Sequence, residues 1–97
     1  MFVNLIAGAA TLQDIDNFKA FKVVTSLPEA AIAGALGTAG RVDGKHVWIA
    51  PAWVTAHGRP DDTAWVAGLN KMLDYAKGAG WTDEHGAVRA HIESGSD

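Results

Sequence analysis

The clearest periodicity in the chain lies between Asp61 and Gly80, where Trp65, Leu69, Met72, Leu73 and Ala76 recur at helical spacing. These positions form one apolar stripe of an α-helix, and Asn70, Lys71, Asp74 and Lys77 fill the opposite side. Asp61 and Asp62 complement the positive end of the helix, and Gly78 or Gly80 ends it. A shorter helix is predicted over Ala30–Ala39, with Ile32, Ala35, Leu36 and Ala39 on one side. Its start, Ser26-Leu27-Pro28-Glu29, has the form of a capping box with Pro in the first turn. Gly34 and Gly37 each lower its intrinsic helicity by about 1 kcal/mol. Such a helix requires close packing, most simply against a sheet.

Other segments read as strands. Phe2–Ile6 is apolar and partly β-branched, and Phe21–Thr25 carries Val23, Val24 and Thr25 together. Between them, Thr11 stands three residues before Asp14, and Leu12, Ile15 and Phe18 recur at every third position, which predicts a short helix. Arg41–Ile49 places Asp43-Gly44 between two β-prone runs, the signal of a hairpin with a type I′ turn. Pro51 limits the second of these strands, and Thr55–Pro60 reads as a loop. In Ala87–Glu93 the pattern has period two: Val88, Ala90 and Ile92 face one way, Arg89, His91 and Glu93 the other. Residues 1–93 thus make a single α+β domain, and 94–97 a frayed tail.

From Phe21 onward the order is β-α-β-β-α-β, which predicts a ferredoxin-like layer: an antiparallel sheet with helices on one face, preceded by an extra N-terminal strand and short helix. The alternative is a winged helix, with Thr11–Val24 and Leu27–Leu36 as a helix pair and Asp43-Gly44 at the wing tip. It ranks second because its usual role is DNA binding, and its second helix carries no Arg or Lys. The predicted order is shared by many small α+β proteins, including dimeric barrels that pair sheet to sheet. That likeness concerns the fold alone and carries no function.

Composition narrows the field without choosing a function. With 97 residues, 48% of them apolar and 20% charged, the chain has the makeup of one ordinary globular domain. Eight Lys+Arg against 11 Asp+Glu give a net charge of −3, and the basic residues are scattered singly. A nucleic-acid partner, which needs a basic face, is not expected. The absence of Cys excludes disulfides and thiolate chemistry and fits a reducing cytoplasm. The apolar start, Met1–Ala10, lacks the positive flank of a secretory signal, and no run reaches the ~20 apolar residues of a membrane span.

Strand parity supplies the candidate chemistry. If Val47 and Ile49 face the helices, His46 and Trp48 point to the opposite surface, joined there by Arg89, His91 and Glu93. His46, His91 and Glu93 are a ligand set of two-His-one-carboxylate type, or an acid–base group. A polar outer face is nevertheless ordinary for a sheet solvated on one side. In the ferredoxin-like order, moreover, a central strand would hold the hairpin and the last strand apart. No metal or cofactor is therefore assigned. His57 and Arg59 precede the long helix, where they could grip a carboxylate or phosphate. His85 reads as an exposed turn residue, and the pairs Asp14/Asp16, Asp61/Asp62 and Asp83/Glu84 as caps and turns.

Four Trp in so short a chain point to a covered surface or a pocket. Trp65 belongs to the core and Trp81 packs beneath the long helix. Trp48 lies on the bare sheet face, with Trp53 at its rim. The reading that unites these features is a homodimer that binds a small molecule in a pocket on the sheet face, in the manner of a cofactor-free isomerase, cyclase or hydrolase. The competing reading is a non-catalytic interaction module that docks through its Trp-bearing face.

Overall fold

The computed structural model describes residues 1–94, which form six strands, three α-helices and one 3-10 turn. In chain order these are β1 (Phe2–Ile6), β2 (Ala9–Gln13), β3 (Lys22–Thr25), α1 (Glu29–Leu36), the 3-10 turn (Gly37–Ala39), β4 (Gly40–Asp43), β5 (His46–Ile49), α2 (Pro51–His57), α3 (Thr63–Gly78) and β6 (Val88–Ser94). Ser94, expected in the tail, closes β6, and 95–97 lie outside the described residues.

The strands form one sheet in the order β2-β1-β3-β6-β5-β4. This corrects the ferredoxin-like expectation. The last strand is inserted between β3 and β5, and it runs parallel to β3, which in turn runs parallel to β1. The sheet is therefore mixed, with the far edge of β3 occupied by the β1–β2 hairpin. The winged helix is overturned by the same hairpin, because 11–24 form the end of β2, a turn and β3. The threefold spacing of Leu12, Ile15 and Phe18 does not produce a helix. Gly8, at φ +74°, reverses the chain, and Leu12 pairs with Val3 across the hairpin.

The sheet is curled. Six strands about 4.8 Å apart span about 24 Å when flat, against a helix diameter of about 10 Å. Yet α1 touches β1 and β2 at one side of the sheet and β4 at the other edge. The strands must wrap around it, so the helices fill the concave side and the bare face is convex. β6 allows the bend: its first half, Val88–His91, pairs with β5, and its second half, Ile92–Ser94, pairs with β3.

The core follows the predicted parity. Val3, Leu5, Val23, Val47, Ile49, Val88 and Ala90 point inward from the strands. All of these but Val88 join Ile32, Ala35 and Leu36 of α1, Trp53 and Val54 of α2, and Trp65 and Leu69 of α3 in one cluster. Thr25 is the buried polar residue; its hydroxyl donates to the Leu5 carbonyl and accepts from Leu27 N–H. The expected Ser26 cap does not form, and α1 starts after Pro28 with no side-chain cap. Pro51 does not merely stop β5 but stands at the first position of α2, where its missing N–H costs nothing. The hairpin turn is also shifted by one residue. Asp43 pairs with His46, leaving Gly44-Lys45 as the turn, and positive φ falls on Gly44 alone, the pattern of type II′.

Candidate functional site

Because β6 lies beside β5, side chains that the expected topology would have separated come together. His46 stands opposite His91 and Trp48 opposite Arg89, on the face the helices leave bare. Glu93 extends the row on β6, and Lys22 of β3 reaches it with a 3.0 Å ion pair. His91 Nε2 lies 2.6 Å from Glu93 Oε2. Glu93 is held below the ordinary glutamate range, chiefly by the hydrogen bond from His91 and then by that from Lys22.

Two loops raise walls around this row. β6 extends beyond the start of its parallel neighbour β3, so the segment before Lys22 runs beside Val88–His91 without pairing to it. That segment is fixed from several sides. The Met1 ammonium donates to the carbonyls of Asn17 and Ala20, at 2.8 and 3.1 Å, and Trp65 Nε1 donates to the Ile15 carbonyl at 2.8 Å. The opposite wall is the chain between α3 and β6. Here α3 ends in a Schellman motif: Gly80 sits at φ +81°, its N–H bonds to the Lys77 carbonyl, and Trp81 N–H bonds to the Ala76 carbonyl. The apolar contact typical of that motif is made by Trp81 against Tyr75, edge to face at 5.8 Å.

From Trp81 the chain returns to β6 through a tight turn. Asp83 organises it, its carboxylate accepting from the N–H groups of His85 and Ala87 and from Arg41 at 2.8 Å. Burial alone would raise the Asp83 pKa, but these backbone and guanidinium donors outweigh it and hold the group below the usual range. Arg89 N–H then bonds to the Trp81 carbonyl at 2.8 Å, tying the indole to the start of β6.

The result is an open groove of about 480 Å³, lined by Lys19, Ala20, Phe21, Lys22, His46, Trp81, Arg89, His91 and Glu93. Three full cations and two imidazoles meet there against one carboxylate, in a chain whose net charge is −3. The electrostatics of the groove therefore oppose those of the molecule, and the site suits an anion.

Of the residues singled out from sequence, His46, Arg89, His91 and Glu93 line this groove. Trp48 shares their face but is engaged beside them: its Nε1 donates to Asp43 at 3.1 Å, and the Arg41 guanidinium lies 5.4 Å from its ring centre. Trp53 is not at the rim but in the core, 8% exposed, with His57 stacked on it at 4.3 Å. The His57 Nδ1 is 2.9 Å from the Trp53 carbonyl, and Arg59 is paired with Asp16. These three residues are not brought to the groove. Sequence patterning does not single out Lys19, Phe21, Lys22 or Trp81: Lys19, Phe21 and Trp81 depend on how the two loops fold back, and Lys22, at the start of β3, depends on β6 lying beside that strand. Trp81 meets Tyr75 of α3, the helix it is expected to pack beneath, but stays 41% exposed.

Among the described residues no three His, Asp or Glu side chains are placed to hold a metal ion. Nor is any helix long and apolar enough to cross a membrane. No family model, curated protein or solved structure matches the chain.

Proposed function

We propose that the protein binds a small anionic molecule in the groove beside β6. The observation that carries the reading is the gathering of Lys19, Lys22, Arg89, His46 and His91 around one concavity of an acidic chain. The groove volume falls within the range of small-molecule sites, about 300–1,000 Å³, and Arg89 offers a planar fork suited to a carboxylate or phosphate. The His91–Glu93 pair adds a proton donor and acceptor, the element on which an isomerase, cyclase or hydrolase activity would draw.

The proposal includes a homodimer acting in the cytoplasm. Small-molecule sites bury most of their ligand, and this groove is open on its outer side. A second copy laid over the bare face would close it. The test is an NMR titration of the full chain with acetate and with inorganic phosphate, alongside light scattering. Amide shifts confined to 19–22, 46 and 89–93, and reduced in Arg89→Ala, support the site. Shifts that are absent or spread over the surface overturn it in favour of a docking module without chemistry. A monomer at every anion concentration overturns the dimer alone.

A further inference from the structure

A second, smaller cavity of about 100 Å³ adjoins the groove. The two share Lys19, Ala20, Phe21, Trp81 and Arg89, so they meet along these residues. Their chemistry differs sharply. Beyond the shared residues the smaller cavity is lined by Phe18, Met72, Tyr75, Ala76 and Val88, and Lys19 and Arg89 are its only charged members. Tyr75 and Trp81 are among its lining residues, 70% and 41% exposed, two large aromatics left in solvent by a chain that buries Trp53 and Trp65. Arg89 lines both cavities.

We infer that the ligand is an amphipathic carboxylate, its charged head in the basic groove against Arg89 and a short apolar tail in the slot between α3 and the segment before β3. This rests on the anion-binding reading and adds the class of ligand to it. Charge complementarity selects the head, and the apolar walls select the tail, since burying hydrocarbon there releases water from Phe18, Met72 and Val88 as well. The volume sets the length. A cavity of ~150 Å³ takes benzene, and one water-sized group fills about 30 Å³. The slot therefore takes a chain of about three or four carbons beyond those lying in the groove.

The test is calorimetric and NMR titration of the full chain with acetate, butyrate, hexanoate, octanoate and hexan-1-ol, following the Trp81 indole N–H resonance. From acetate to hexanoate each added methylene is expected to tighten binding about fourfold, with little further gain at octanoate. Met72→Ala should move this limit to longer chains. Tyr75→Ala, at an exposed position that does not support the core, should weaken hexanoate while leaving acetate unchanged. Acetate binding with no dependence on chain length in any variant would overturn the amphipathic ligand and leave the anion site standing. Failure of acetate, phosphate and hexanoate alike would overturn both. Equal binding of hexan-1-ol and hexanoate would also sink the inference, since the carboxylate would then contribute nothing.

Discussion

His46 and His91 face one another across the β5–β6 pair, and their neighbours Trp48 and Arg89 do the same one pleat further along. This relationship exists only because β6 is inserted between β3 and β5. Parity sends all four side chains to the bare face in either topology; adjacency is what makes them a site. Behind His91, Glu93 accepts from the imidazole and from Lys22, so these three side chains form a connected polar network beside His46 and Arg89.

That network has a pH signature. Glu93 is held below its ordinary value by its bonds to His91 and Lys22. A carboxylate whose pKa is lower in the folded state stabilises the fold above its unfolded-state pKa, about 4.3, and that contribution fades as pH falls through the lower, folded value. Glu93→Gln should therefore be less stable than the parent protein at pH 6, and the difference should shrink steadily below about pH 4. Urea denaturation across that range measures it. A gap that stays constant down to pH 2 would show that the carboxylate charge has no part in it.

Two glycines separate close packing from plain flexibility. A Cβ on Gly40 would lie 1.9 Å from the Trp48 carbonyl oxygen, a backbone atom of the paired strand that cannot yield without breaking the β4–β5 ladder. Gly40→Ala should cost about 3 kcal/mol or more, the upper end for overpacking. Gly34 sits inside α1 with open space around it. Gly34→Ala should stabilise by about 0.5–1 kcal/mol. Thermal melts of the two variants should shift in opposite directions.

The same contrast explains which parts of the fold were legible in the sequence. The stripe from Trp65 to Ala76 and the face of Ile32, Ala35 and Leu36 are local patterns, and both emerge buried or half-buried as read. The alternation in β6 is equally local, and it places Arg89, His91 and Glu93 on the outer face. β2 was not legible. Ala9 and Ala10 are poor strand formers, and only pairing to β1 decides their conformation. The neighbours of β6 were not legible either, since alternation tells which way a side chain points but not what lies beside it. For the candidate site this meant that the residues on β5 and β6 could be named, whereas Phe21 and Lys22, although read as part of a strand, join them only through the pairing of β3 with β6, and Trp81 arrives through a loop with no sequence pattern of its own.

Asp62 offers a check on the best-read element. Its side chain accepts from Trp65 N–H at 3.1 Å, satisfying one of the free donors at the start of α3. Asp62→Ala should cost about 1 kcal/mol, whereas Asp61→Ala, one residue outside the helix, should cost a few tenths at most. Comparable losses for the two would mean that general charge, and not the cap, supports the helix start.

Anion binding should discriminate between Arg89 and Arg59, the arginines of the two candidate sites. Arg59 is paired with Asp16, and its neighbour His57 is stacked on Trp53, so neither lines the groove. Arg89 lines it and has no carboxylate partner among the described residues. A hydrogen bond to a charged group contributes about 1.5–3 kcal/mol, so Arg89→Ala should weaken acetate or phosphate binding by about tenfold or more. Arg59→Ala and His57→Ala should leave it within about twofold, the effect of a distant exposed charge being small and screened by salt. Both arginine variants lower the net charge of the protein by the same amount. Equal losses from the two would therefore show that anions respond to overall charge, and that the convergence of cations beside β6 confers no site.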